Sequence, residues 1–452
     1  MKRIFLICLA VGLLLANACS AEFQVNTRPT YNQTYPDVAV DGVGNFVVVW
    51  ASYYQGGRSY DIFARTFLRD GSPETSEFQI NTTTTGNQTE PSIAVDPSGN
   101  FVVAWQGPGP DEEDIYARKF DPNGQPLTGE FRINDYTPGS QLYPNVAVDD
   151  AGNIVIVWES SGTAQKPTKQ SIYARLFDNA GSGLCPEFIV DDSSYNCRYP
   201  NVEMDASGNF VVTWLQDRTA KSIMARLYSH LGNPRTAPFE ANTAKVSSLT
   251  RPRVAVRAEG SFVVTWDGDP KLASLDDIHA RLYDPNGIPL TAQFTVNTSL
   301  AGAQQYPQVA MNSCGDFVIV WQSDDPNSSL DVFAQRFNRL GQTIGDEFRI
   351  NTYTNDEQKY AAIALSETGC FLAAWQSNGQ DSSGYGIFAD ILSLGSADLN
   401  GDHLVNFEDY AVFAAEWVKK QTPLRGDLIC DDRINERDLV AFCQQWLIFT
   451  PE

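Results

Sequence analysis

The chain has 452 residues, and 32 Lys plus Arg stand against 55 Asp plus Glu, a formal net charge of -23. That length exceeds one compact core, so repeats or several domains are expected, while so acidic a surface repels phosphate backbones and anionic lipid and excludes nucleic acid as an expected partner. Many aromatics with 33 Gly and 24 Pro suit short strands joined by frequent turns.

Residues 1–21 read as a signal peptide. Lys2 and Arg3 precede an apolar stretch from Ile4 to Leu15, followed by the small residues Ala16 to Ala21, the pattern of an export leader too short to anchor. The protein is therefore expected to be secreted, extracellular or at the cell surface. Cys19 also permits a lipid anchor, although Ala16 stands where a lipobox has Leu. No other stretch is long and apolar enough to span a membrane.

Residues 22–394 are governed by one period. Trp50, Trp105, Trp158, Trp214, Trp266, Trp321 and Trp375 recur every 52 to 56 residues, each near the end of an apolar run such as Phe101-Val-Val-Ala-Trp105. Self-similarity at a fixed spacing means units that bury their apolar faces only against neighbours. Each unit carries four strand signals. They are an inner Val38-Ala-Val40-like strand, a turn of the form Asp96-Pro-Ser-Gly99-Asn100, the Trp-bearing strand, an alternating third strand such as Asp114 to Phe120, and a fourth such as Glu130 to Asn134. Glu22 to Asn26 is a fourth-strand sequence with no unit before it, and the seventh unit lacks a fourth strand after Ile391. The orphan fills the vacancy in a closed ring, which leaves no long unpaired edge. The expected fold is all-β, a seven-bladed β-propeller of four-stranded antiparallel blades whose N-terminal strand closes blade seven.

Within that ring, Gln33, Gln88, Gln141, Gln304 and Gln358 recur just before the inner strand, beside Tyr35, Tyr143, Tyr199, Tyr306 and Tyr360. They suit either sugar recognition near a channel mouth or ties between blades. Arg65, Arg118, Arg175, Arg226 and Arg281 share one third-strand position; symmetry spreads them apart, so local pairing or stacking on aromatics is their expected use. Asp111, Glu112, Glu113, Asp114, Asp267, Asp269, Asp324 and Asp325 lie on the loop-rich face and are the acids from which a glycosidase pair would be drawn. With only three His, no metal or nucleophilic constellation forms in the ring, and its catalytic residues stay unassigned. Among the cysteines, Cys185 with Cys197, Cys314 with Cys370, and Cys430 with Cys443 are the pairs that position suggests.

Composition changes at residue 395, and residues 395–452 form a second domain. Asp398, Asn400, Asp402, Asn406 and Asp409 occupy positions 1, 3, 5, 9 and 12 of a loop leading into a helix, a spacing that wraps oxygen ligands around a hard cation such as Ca²⁺. That helix is expected from Phe407 to Val418, with Tyr410, Phe413, Ala414 and Trp417 on one face. A second copy begins at Asp427. The duplication resembles a type I dockerin, the calcium-binding module that attaches secreted proteins to cohesins. The resemblance implies Ca²⁺ held by Asp398, Asn400, Asp402, Asp409 and the Leu404 carbonyl, and a second site at Asp427, Asp431 and Asp438. The sequence departs from the family at His403, where Gly is usual, and at Ile429, which replaces a ligand. Phe407-Glu408 and Glu436-Arg437 stand where the family often has small hydroxyl residues that recognise cohesin.

Two functions follow as expectations. One is a non-catalytic secreted propeller that binds a glycan or a protein on its loop-rich face and attaches to a cohesin-like protein or cell-surface component through residues 395–452. The other is a polysaccharide-degrading enzyme, hydrolase or lyase, carrying the same module.

Overall fold

The computed structural model describes residues 22–393, except 56–57, 162–168, 245–249, 270–274, 300, 325–328 and 368, together with residues 407–416 and 439. Seven four-stranded antiparallel sheets follow one another. Blade one runs Gln33–Val40, Phe46–Tyr53, Tyr60–Phe67 and Phe78–Gln79 from the inner strand outward. Blade seven takes three strands from the end of the ring, Gln358–Leu365, Cys370–Asn378 and Tyr385–Ser393, and its outer strand from the beginning, Phe23–Gln24, with Phe23 opposite Ala389. The expected closure is thus present.

The Trp-bearing strands lie between two sheets and are buried on both faces, which is why they are continuously apolar. All seven repeat tryptophans are essentially inaccessible to water. Each core cluster joins neighbouring blades; one unites Val25, Trp50 and Phe67 with Ile387 and Ala389, so the first and last segments of the ring share one core. At the opposite ends of these strands the Asp turns behave as their chemistry requires. Asp96 Oδ1 accepts the Ser98 and Asn100 amides at 2.9 and 3.0 Å while Gly99 takes φ +85°.

Outer strands are short, usually two residues, because the chain then turns inward. Asn134 shows why: its Oδ1 accepts the Ile115 amide at 2.8 Å and its Nδ2 donates to Asp114 at 2.7 Å. Asn81, Asn297 and Asn351 repeat this anchor. The arginine series ties blades together. Arg118 Nη1 donates to the Ile80 carbonyl of the preceding blade at 2.9 Å while its guanidinium lies 5.2 Å from the Phe120 ring, and Arg65, Arg175, Arg226 and Arg281 do the same.

One cysteine pairing is corrected. Cys185 keeps its thiol, so it does not bridge Cys197, and both pack in one apolar cluster; Cys314 is disulfide-bonded. Cys430 and Cys443 lie outside the described residues, as do residues 1–21.

Of residues 395–452, one helix is described, Phe407–Glu416. Phe413 is buried as expected, but Tyr410 is 42 % exposed and Ala414 is exposed, so the predicted apolar stripe is not wholly covered. Asp398, Asn400, Asp402, Leu404, Asp427, Asp431 and Asp438 fall outside the described residues; the Asp409 backbone is helical and its side chain is outside them. The boundary expected near residue 394 falls there too.

Candidate functional site at the channel mouth

Six of the seven inner strands contain a bulge in which one residue is followed by Pro or, in blade seven, Ala. At that residue Tyr35, Glu90, Tyr143, Tyr199, Tyr306 and Tyr360 adopt φ between +50° and +55°. Positive φ disfavours these side chains, and the following Pro has no amide for the ladder. The preceding blade holds several of these bulges. The Tyr35 amide donates to Gln376 Oε1 at 3.1 Å, Tyr143 to Gln106 at 2.9 Å, Tyr199 to Glu159 at 3.3 Å and Tyr360 to Gln322 at 3.3 Å. The bulge places each residue at the wall of the central cavity.

The result is a ring of seven: Tyr35, Glu90, Tyr143, Tyr199, Arg251, Tyr306 and Tyr360. Glu90 and Arg251 interrupt the tyrosines on opposite sides and meet at 3.3 Å. This pair divides the mouth into two aromatic arcs. Tyr143 and Tyr199 touch at 5.0 Å on one side; Tyr306, Tyr360 and Tyr35 follow one another at 5.0 and 5.2 Å on the other. The Arg251 guanidinium lies 5.0 Å from the Tyr143 and Tyr199 rings and 5.8 Å from Tyr306, a cation held by the faces of three aromatics. Glu90 and the tyrosines hold Arg251 above its usual pKa against the pull of burial.

Below the mouth a second ring is polar. Asp37 accepts the Ile93 amide at 2.9 Å, Asn145 the Val202 amide at 2.7 Å and Asn201 the Val254 amide at 2.7 Å, and Arg253 Nε donates to Gln308 at 2.8 Å. One step deeper, Glu203 lines the channel where the other blades have Ala39, Ala94, Ala147, Ala255, Ala310 and Ala364. Desolvation, with the nearby Asp37 charge, pushes the Glu203 carboxyl up to about 8, and desolvation pushes Asp37 to about 6 against its backbone hydrogen bonds.

The glutamines prove to be scaffold. Gln88, Gln141 and Gln304 are buried and accept the indole N–H of Trp105, Trp158 and Trp321 in their own blades at 2.9, 3.1 and 2.8 Å. Gln33 accepts instead from Asn26 of the closing segment at 3.1 Å, the inter-blade tie expected of the series. Gln358 is buried and donates to the Asn355 carbonyl at 3.2 Å. The tyrosines, by contrast, form the wall of the cavity.

The acid candidates separate in the same way. Asp114 is a buried anchor for Asn134 and also lies 3.4 Å from Arg132. Asp111 and Asp324 are exposed, Glu112 and Glu113 receive the Ser140 hydroxyl, Asp269 is buried, and Asp325 lies outside the described residues. Asp267 alone adjoins the mouth. Thr250 Oγ1 donates to it at 2.7 Å, and burial pushes it to about 7 against that bond. Glu159, absent from the sequence candidates, is its counterpart under Tyr199, also pushed by burial to about 7. Both stand one residue after the Trp, where Gln106, Gln322 and Gln376 stand in other blades. The signal that would have revealed Glu90 and Arg251 was the following Pro, shared with Tyr35, Tyr143, Tyr199 and Tyr306. Among the described residues no cluster of three or more His, Cys, Asp or Glu forms a metal site, and no helix is long and apolar enough to cross a membrane.

No protein-family profile matches the chain, and no curated protein matches it either. Solved structures do match. An ulvan lyase of a new polysaccharide-lyase family, bound to a fragment of glucuronic acid and sulfated rhamnose, aligns with TM-score 0.51 at 10% identity over 82% of this chain and 96% of its own. A Dyadobacter fermentans protein of unknown function gives 0.49 at 11% identity over 82% and 97%. An α-L-arabinanase from Penicillium chrysogenum, complexed with arabinobiose, gives 0.46 at 13% over 68% and 93%. The chain shares its fold with the ulvan lyase. At these identities the likeness is one of fold.

Proposed function

We propose that the protein is a secreted, polysaccharide-directed propeller that engages glycan at its channel mouth. The observation that carries this reading is the mouth itself. The two aromatic arcs offer phenolic hydroxyls, Tyr35 and Tyr360 offer rings that Arg251 does not cover, and the Glu90–Arg251 pair offers charged hydrogen-bond partners, a combination suited to a ligand with both hydroxyls and carbon–hydrogen faces. Binding is the form of the reading that geometry supports best. Glu159 and Asp267 are 1 % and 5 % exposed and hold tyrosine bulges, so neither stands open to a glycosidic bond.

A second reading, degradation of the bound polysaccharide, is favoured by one feature. Two positions filled by Gln in sister blades carry carboxyls with pKa values near neutrality, the range useful for proton transfer. The shared fold with an ulvan lyase is compatible with it. Incubation of the full chain with arabinan, xylan, pectin and sulfated glycans, followed for both retention and release of reducing or unsaturated ends, separates the two. Retention without product, weakened in Arg251→Gln, supports binding. Product formation abolished in Glu159→Gln or Asp267→Asn supports turnover, and neither retention nor product removes both.

Residues 395–452 complete the proposal as a dockerin-like calcium module for attachment to a cohesin-like or cell-surface partner. Asp398, Asn400, Asp402, Asp409 and the Leu404 carbonyl would supply an oxygen set suited to Ca²⁺, with Asp427, Asp431 and Asp438 forming a poorer one. Calorimetry on the full chain should show Ca²⁺ binding that Asp398→Ala reduces more than Asp427→Ala. Equal losses, or no binding, would refute the assignment.

A further inference from the structure

Blade one carries tyrosine at two turn positions on the mouth face. At the turn before the inner strand Gly86, Gly139 and Gly302 take φ of +76°, +73° and +75° in blades two, three and six, Asp356 takes +56° in blade seven, and blade four has Tyr195. Blade one places Tyr31 there, at φ +66°. The turn after the Trp strand closes in blade seven with Gly379 at φ +75°, its amide bonded to the Gly384 carbonyl. In blade one the equivalent amide, bonded to the Ser59 carbonyl, belongs to Tyr54 at φ +61°.

Left-handed backbone is costly for a bulky aromatic and costs glycine nothing. Both of these left-handed positions of blade one are nonetheless tyrosines. The side chains are not buried in return: Tyr31 is 51 % and Tyr54 38 % exposed. They stack on one another, with centroids 5.3 Å apart and planes 26° apart, and Tyr53 stands edge-on to both at 6.2 and 4.6 Å. A residue that is both strained and exposed contributes little to the scaffold, and strain of this kind collects at ligand sites.

The patch is continuous with the mouth. Asn32, next to Tyr31, accepts the Tyr385 amide through Oδ1 at 3.2 Å; the Lys359 ammonium lies 4.8 Å from the Tyr385 ring and 5.7 Å from the Tyr360 ring of the mouth. Along the other route, Tyr31 precedes the ring member Tyr35 by four residues, roughly 13 Å of extended chain.

We propose that Tyr31 and Tyr54 form a sugar-stacking platform, a second carbohydrate subsite that holds a unit of the same glycan whose neighbouring units occupy the channel mouth. The inference rests on the reading of the mouth as a glycan site. A flat pair of exposed rings presents the apolar face that a pyranose or furanose ring covers, and Lys359 and the Tyr385 hydroxyl lie on the way to the mouth to meet its hydroxyls.

The test uses the full chain and affinity electrophoresis through arabinan, xylan, pectin and a sulfated glycan. The platform variant is Tyr31→Gly with Tyr54→Gly, which gives the first turn the residue of blades two, three and six and the second that of blade seven, and should hold or raise the melting temperature. The mouth variant is Arg251→Gln. Retardation weakened about tenfold in the platform variant, at an unchanged or higher melting temperature, supports the platform. If the platform variant alone weakens, the platform stands and the mouth reading falls. If the mouth variant alone weakens, the platform is overturned. A wild-type chain that no polysaccharide retards overturns both.

Discussion

The two faces of the ring are built by opposite rules. On the turn face the blades repeat one another: Asp41, Asp96, Asp149 and Asp205 each cap the same turn through the same pair of amides. On the mouth face the backbone repeats but side chains diverge, with Glu90 and Arg251 in a ring of tyrosines, Glu159 and Asp267 in a series of glutamines, and the stacked Tyr31 and Tyr54 at two left-handed turns of blade one. Symmetry spreads a repeated residue around the ring, where it can stabilise each blade but cannot converge on one ligand. Departures from symmetry carry the information about function. Changes at repeated positions should therefore lower stability and leave binding intact, and changes at unique ones should do the reverse.

The largest effect is expected from removing the segment that makes repetition circular. Deleting residues 22–27 takes away Val25, fully buried, the tilted ring contact of Phe23 with Phe67 at 5.6 Å, and the Asn26 oxygen that accepts the Ile387 amide at 2.7 Å. Loss of the Val25 burial alone costs about 1.5–3 kcal/mol, and the deletion also exposes the Tyr385–Ser393 strand as an edge. Thermal melts and light scattering should show a lower midpoint and aggregation. An unaltered midpoint would mean that the ring does not depend on its closing strand.

A smaller loss is expected at Asp114, where a repeated residue occupies the loop-rich face. Asp114→Ala leaves Asn134 Nδ2 with only its bond to the Tyr136 carbonyl and removes the partner of Arg132. An unsatisfied buried polar group costs about 1–3 kcal/mol, a shift of a few degrees in the melting point. Polysaccharide retention should not change. Reduced retention at full stability would put Asp114 among the functional residues and break the division between the faces.

What the sequence disclosed follows the same division. Periodicity revealed the Trp strands, the blade count and the closing strand, because a feature repeated seven times stands out from noise. Glu90 and Arg251 escaped because the ring was recognised by residue identity, whereas its geometry is set by the bulge and the Pro that follows. Asp114 joins the acid candidates for a related reason. It adjoins the acidic loop run Asp111 to Glu113, but as the second residue of the Glu113–Phe120 strand its side chain turns inward to Asn134. Glu203 was invisible, since nothing in a single Glu among strand residues says that sister blades place Ala against a channel.

The smallest effect, and the one most specific to an asymmetric position, is expected at Glu203. Its carboxyl is pushed to about 8, and Glu159 and Asp267 to about 7, all above the ordinary carboxylate values near 4. A carboxyl whose pKa is raised on folding keeps its proton in the folded state while the unfolded chain releases it. Its contribution to stability is full below about pH 4 and is lost as pH rises through the folded value. Stability should therefore decline between about pH 4 and pH 8, with Glu203 setting the upper end of that window. Glu203→Ala restores the residue of the other six blades and removes a charge that the channel desolvates. Melting curves from pH 5 to pH 9 should nearly coincide with the wild type at the acid end and run above it at the alkaline end, by a few degrees at most. A variant that melts lower than the wild type at pH 9 would show that the Glu203 carboxylate has a stabilising partner, and the channel would then be read as a built charge site instead of a strained one.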